Sequence, residues 1–148
     1  MKLRVWLAGK IVCPRLKFTY HNDSGTYYDN KNKKVTLGLN AWQDECGFLR
    51  HLREEHGCKE WNKVNVGVWS LLHEIGHYHT FDYVEDDSFT RAFCAVIPLD
   101  VAKEYSKYQD LYFNMESEFE ATEWAIEWLH KNPWRSRLVN LLLRKGVK

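Results

Sequence analysis

Between residues 3 and 20 apolar and polar positions alternate loosely, a pattern that predicts a short strand or two. The turn-rich stretch His21-Asn22-Asp23-Ser24-Gly25 follows. A hairpin is expected next, running from Thr26-Tyr27-Tyr28 across Asp29-Asn30-Lys31-Asn32-Lys33 to Val35-Thr36-Leu37. Beyond it the apolar period lengthens to that of a helix. Helices are predicted from about Ala41 to His56, from Asn65 to Thr80, from Leu99 to about Tyr108, from Glu116 to Lys131, and from Pro133 to a point before Gly146. Between the second and third of these lie an Asp-rich loop from Asp82 to Ser88, a helical stretch from Thr90 to Ile97, and the break at Pro98. The chain shows no repeat, linker or low-complexity stretch. With 148 residues, 45% of them hydrophobic and seven of them tryptophan, it is expected to bury a core as a single domain, residues 1–148. The fold class expected is α+β, with a small antiparallel or mixed sheet packed on a mainly helical body.

The second helix carries His73-Glu74-Ile75-Gly76-His77. At about 3.6 residues per turn, positions four apart share one helix face, so both imidazoles can converge on a single ion. Glu74 between them is placed to take a proton from water at the metal's open position and to hand it to a leaving amine. The sequence leading into the motif agrees: Asn65 suits a helix cap, and Trp69, Leu72 and Gly76 fall near one face. Glycine in a helix interior is unfavourable by roughly 1 kcal/mol against alanine, so Gly76 predicts a neighbour packed too closely for a side chain.

A catalytic zinc ion takes three protein ligands and keeps one position open, so a third ligand must come from elsewhere. The helix from Glu116 offers it. Glu118, Ala121, Thr122 and Ala125 form a stripe of mostly small side chains, which would let this helix approach the motif helix until the Glu118 carboxylate reaches the ion. The competing reading of so many glutamates is a solvated acidic face.

The motif, the segment Glu118-Phe119-Glu120-Ala121-Thr122-Glu123-Trp124-Ala125 and the strand-like Lys34-Val35-Thr36-Leu37-Gly38-Leu39-Asn40 together resemble the zincins with a downstream glutamate ligand. Among these the chain is most similar to the small ImmA/IrrE-type metallopeptidases of bacteria, phages and mobile elements. The resemblance covers roughly residues 34 to 130. It implies a zincin-like metallopeptidase domain, with Zn2+ held by His73, His77 and Glu118, Glu74 as the catalytic residue, and Thr122 as the polar residue that orients the site. Thr122 stands where the family usually has Asn or Asp, and the interval from His77 to Glu118 is longer than the family's. An insertion from Asp82 to Asn114 is therefore expected to form a specificity loop with a helix of its own, and Glu120, then Glu116, stay open as alternative ligands. The resemblance further implies hydrolysis of peptide bonds in a specific protein or peptide substrate, such as a repressor or other regulator. The strand from Val35 to Leu39 is expected to offer the edge along which an extended substrate would lie. The oxyanion donor is left open among Tyr78, Tyr83, Tyr105, Tyr108 and Tyr112. The alternative function is a non-catalytic interaction protein on the same fold, an anti-defence or antitoxin-like binding module; the intact Glu74 argues against it.

A net charge of +1, with basic residues mostly interleaved among acidic ones, gives no case for nucleic acid. No apolar run reaches the length of a signal peptide or a membrane span, so a cytoplasmic protein is expected, without a membrane partner. The leucines of the last helix are expected to pack onto the domain. The four cysteines, Cys13, Cys46, Cys58 and Cys94, have no Cys-x-x-Cys spacing and are expected to be reduced thiols. Cys46, His51, His56 and Cys58 match no common zinc spacing, and His21 and His79 read as ordinary polar residues.

Overall fold

The computed structural model describes residues 1–22, 25–42, 48–80 and 116–144. Helix α1 spans Lys2–Val12, strand β1 Lys17–His21, β2 Tyr27–Asp29 and β3 Lys34–Gly38. After a single 3-10 turn, Leu39–Trp42, come α2 (Phe48–Glu54), α3 (Val66–Thr80), α4 (Glu116–Lys131) and α5 (Pro133–Leu142). The class is α+β. The expected hairpin, motif helix, glutamate helix and terminal helix are all present; the Asp-rich loop, the helices expected between Thr90 and Tyr108, and the insertion to Asn114 lie outside the described residues.

The start of the chain differs from expectation: residues 2–12 are helical, and only β1 is a strand. Val5, Ala8, Gly9 and Val12 form the buried stripe of α1, spaced as a helix requires. Leu3, Trp6 and Leu7 on the opposite side are apolar too, which blurs the period that would reveal the helix.

The sheet is mixed, in the order β1-β3-β2. Strand β3 runs parallel to β1, with Phe18 opposite Val35 and Tyr20 opposite Leu37. It runs antiparallel to β2, with Tyr28 opposite Val35. The turn joining β2 to β3 closes through Asp29, whose carboxylate accepts from the Asn32 backbone N–H at 3.1 Å and from the Asn32 side-chain amide at 2.7 Å. Because β3 is paired on both sides, the segment from Val35 cannot offer a free edge. The edge strand of the hairpin is β2.

Helix α3 forms the middle of the core, with Val68, Trp69, Leu71, Leu72 and Ile75 fully buried. Asn65 caps it: its Oδ1 accepts from the Val68 backbone N–H at 3.2 Å. Asn140 of α5 holds the cap in place, its Oδ1 accepting from the Asn65 backbone N–H at 2.8 Å and from its side-chain amide at 2.7 Å. The Trp42 indole N–H donates to the Leu143 carbonyl at 2.9 Å, tying the turn after the sheet to the end of α5.

The most extensive contact between elements joins α3 to α4. At Gly76 the helices are so close that a Cβ would lie 2.3 Å from the Ala121 carbonyl oxygen and 2.8 Å from its Cα. Both are backbone atoms, so only a shift of a whole helix could make room. The close neighbour that Gly76 implies is therefore α4, and the stripe Glu118, Ala121, Thr122 and Ala125 is the face that meets it, all four buried.

Gly76→Ala is expected to destabilise the fold by about 3 kcal/mol, the upper part of the range for overpacking. Gly25→Ala, where a Cβ meets nothing within 4 Å, should stay within about 0.5 kcal/mol of wild type. Urea unfolding of the two variants checks this.

Candidate metal centre

The helix contact carries the candidate chemistry. His73 and His77, one turn apart on α3, present rings with centroids 4.7 Å apart and planes at 81°. Glu118 comes from the first turns of α4. Its Oε2 lies 2.9 Å from His73 Nε2 and its Oε1 3.4 Å from His77 Nε2. One donor atom from each of the three residues falls within 4.8 Å of the others, and this is the one such group of three His, Cys, Asp or Glu side chains among the described residues. Glu116 and Glu120, the alternatives on the same helix, are exposed.

Thr122 sets the state of His73. Its Oγ1 donates to the Glu118 backbone carbonyl at 2.8 Å. The hydroxyl has one proton, so at His73 Nδ1, 3.0 Å away, it accepts. Nδ1 therefore carries hydrogen, and in the neutral ring the Nε2 lone pair points at the Glu118 carboxylate. A lone pair and a carboxylate oxygen 2.9 Å apart repel unless a proton or a cation lies between them. Two imidazole nitrogens and a carboxylate oxygen are a donor set that suits zinc. The residues fit a divalent transition-metal ion bound by His73, His77 and Glu118. Phe48 of α2 packs edge-on against the His73 ring, centroids 5.1 Å apart, and closes that side with an apolar wall.

Burial pushes the Glu118 carboxyl up, but the His73 and His77 imidazoles against it, whenever they carry a proton on the nitrogen that faces it, outweigh burial and hold the group well below the usual carboxylate range. Glu74 is buried beside them. Burial raises its carboxyl above the ordinary value, against the pull of His77 and His73 and, to a lesser degree, of the Tyr28 backbone N–H that faces it. This last contact is not visible to motif reading, because it comes from the backbone of β2. Tyr28 itself titrates at about 12, raised by burial and then by Tyr78 and Asp29.

The remaining candidates among the described residues have other partners. Tyr78 packs edge-on against Tyr28 at 6.2 Å and against His79 at 5.0 Å; Tyr83, Tyr105, Tyr108 and Tyr112 lie outside the described residues. His79 stacks on Trp124, centroids 4.6 Å apart and planes at 10°, and its imidazole is held below its usual value by burial and by Arg15. His51 and His56 do meet, Nε2 to Nε2 at 3.1 Å, and His56 Nδ1 is hydrogen-bonded to the Glu123 carboxylate. Cys58 does not complete a ligand group with them, and Cys46 lies outside the described residues. Cys13 and Cys58 are free thiols. No described helix is long and apolar enough to cross a membrane.

Compared with protein-family models, curated proteins and solved structures, the chain matches none.

Alanine at His73, His77 or Glu118 is expected to abolish tight zinc binding, whereas Glu120→Gln should leave it unchanged. Thr122→Val, which keeps the shape but frees the imidazole N–H, should weaken binding by about 10- to 100-fold. Competition titration against a chromophoric chelator measures each.

Proposed function

We propose that this protein is a zinc-dependent metallopeptidase with a zincin-like fold, which hydrolyses peptide bonds in a specific protein substrate. The observation that carries this reading is the position of Glu74. Its buried carboxylate sits among His73, His77 and Glu118 and is at the same time faced by a backbone N–H of the hairpin's edge strand.

A divalent ion held by the two imidazoles and Glu118 supplies a Lewis acid that acidifies water and polarises a carbonyl. The protein's own groups do the rest. Glu74, its proton affinity raised by burial, takes the proton from the attacking water and passes it to the leaving amine. Thr122 holds the His73 ring in the tautomer with Nε2 free. Strand β2 positions the substrate. In an antiparallel pair a residue's N–H and C=O point to the same side, and the Tyr28 N–H that reaches Glu74 faces away from β3. A peptide lying extended along β2 would bring a carbonyl beside Glu74 through main-chain hydrogen bonds. Recognition through the backbone suits a protein substrate, with side-chain pockets setting which one. ImmA/IrrE-type enzymes, which the motif and the Glu118 helix resemble, act on regulators such as repressors, and a regulator of that kind is the substrate class proposed.

Zinc-loaded wild-type protein should cut members of a peptide library derived from a bacterial proteome. Glu74→Gln should retain its zinc and lose at least about 100-fold in rate. Cleavage by Glu74→Gln at the wild-type rate, or none by the loaded wild type, would refute the reading; in the latter case an interaction protein is what remains.

A further inference from the structure

We propose that α1 and α5 form a docking face for an anionic lipid surface. The proposal is independent of the metal centre and rests on where the two ends of the chain meet.

The two helices pack against each other, and the Arg135 guanidinium donates to the Ile11 carbonyl at their junction. Each buries one stripe: Val5, Ala8 and Val12 on α1, Ser136 and Val139 on α5. Each is apolar on the opposite side as well. Leu3 (68% exposed), Trp6 (44%) and Leu7 follow the i, i+3, i+4 spacing, and Trp134 (68%), Leu138 (40%) and Leu141 (64%) follow i, i+4, i+7. These six are the majority of the ten large apolar side chains exposed among the described residues. Scattered exposed leucines need no explanation, but a concentration on two adjoining helices marks an interaction surface. The terminal helix is expected to pack its leucines inward; Leu143 does so fully and Leu142 in part, but Leu138 and Leu141 face solvent.

Charge decides the occupant. Residues 1–22 and 128–148 contain eleven of the chain's 21 Lys and Arg residues and none of its 20 Asp and Glu residues. The cations interleave with acids along the middle of the chain but are segregated at its ends, and the fold packs α1 against α5. Lys2, Arg4, Arg137 and Arg144 are exposed and have no ion-pair partner among the described residues. A second copy of the chain would set two positive faces against each other. Nucleic acid would answer the charge but not the projecting leucines. An anionic bilayer answers both: lipid headgroups meet the Lys and Arg side chains, and Trp6, Trp134 and the leucines enter the boundary between headgroup and acyl chain. A fluid surface also requires no groove of matching shape.

The test uses the full chain with vesicles of phosphatidylcholine alone or mixed with phosphatidylglycerol. Co-sedimentation with the anionic vesicles should exceed that with the neutral ones by at least about tenfold and fall as salt is raised. Tryptophan emission should shift to shorter wavelength with the anionic vesicles only. Trp134→Glu combined with Leu141→Glu should abolish both signals and leave the thermal midpoint unchanged, because both side chains are exposed in the wild type. Equal or absent binding to the two vesicle types overturns the proposal, as does binding by the double variant at the wild-type level. A dimer, or a salt-sensitive complex with DNA, that the double variant loses while vesicles fail to bind also overturns it and assigns the face to that partner. Peptide cleavage is not a readout, so failure here leaves the proposed activity untouched.

Discussion

The backbone of α3 at Gly76 touches the backbone of α4 at Ala121, and the rest of the candidate site depends on that approach. Two helices separated by ordinary side chains lie about 8–10 Å apart, and a carboxylate on one then reaches the other only by extending. Here the small stripe on α4 lets Glu118 meet both imidazoles, and lets Thr122 reach the far side of the same His73 ring. The grip on His73 from both ring nitrogens restrains its rotation. Four residues, Gly76, Glu118, Ala121 and Thr122, thus act as one geometric unit.

The electrostatics follow from the same closeness. Glu74 and Glu118 are both buried, and two carboxylates in one pocket between neutral imidazoles carry a charge that the protein interior does not tolerate alone. His73 and His77 as cations would balance it, at the expense of every lone pair available to a ligand. A divalent cation balances it and uses the lone pairs. The opposed shifts of the two carboxyls fit a division of roles: Glu118, held low by its imidazole partners, is the permanent anion, whereas Glu74, raised by burial, is the group suited to carry a proton.

Much of this was legible in the chain itself, because the contacts involved are periodic. The four-residue spacing of the histidines, the glycine between them, and the stripe Glu118, Ala121, Thr122, Ala125 are helix-face arithmetic, and the structure brings those faces together. What the sequence hid is of three kinds. The Tyr28 N–H on Glu74 is a backbone group, and no side-chain pattern announces it. The central place of β3 depends on its parallel pairing with β1, a long-range choice that the local alternation at Val35 does not encode. Helix α1 was hidden because Leu3, Trp6 and Leu7 lie among its outer positions, so the periodic signal that distinguishes helix from strand is weak. The last of these is also informative, since a helix that sets Leu3, Trp6 and Leu7 on its solvent side has a second surface to account for.

Helix α5 shows how that second surface coexists with the site. Its inner face is committed: Asn140 holds the cap of α3, Val139 is buried, and the Leu143 carbonyl beyond its end accepts from Trp42. Its outer face, Trp134, Leu138 and Leu141, makes no comparable demand on the core. Hydrogen bonds on the inner face are directional, and they fix the rotation of α5 about its axis irrespective of what the outer face touches. The start of the motif helix is therefore insulated from changes on the solvent side. That separation is why the apolar exterior is free to serve a partner without disturbing the core.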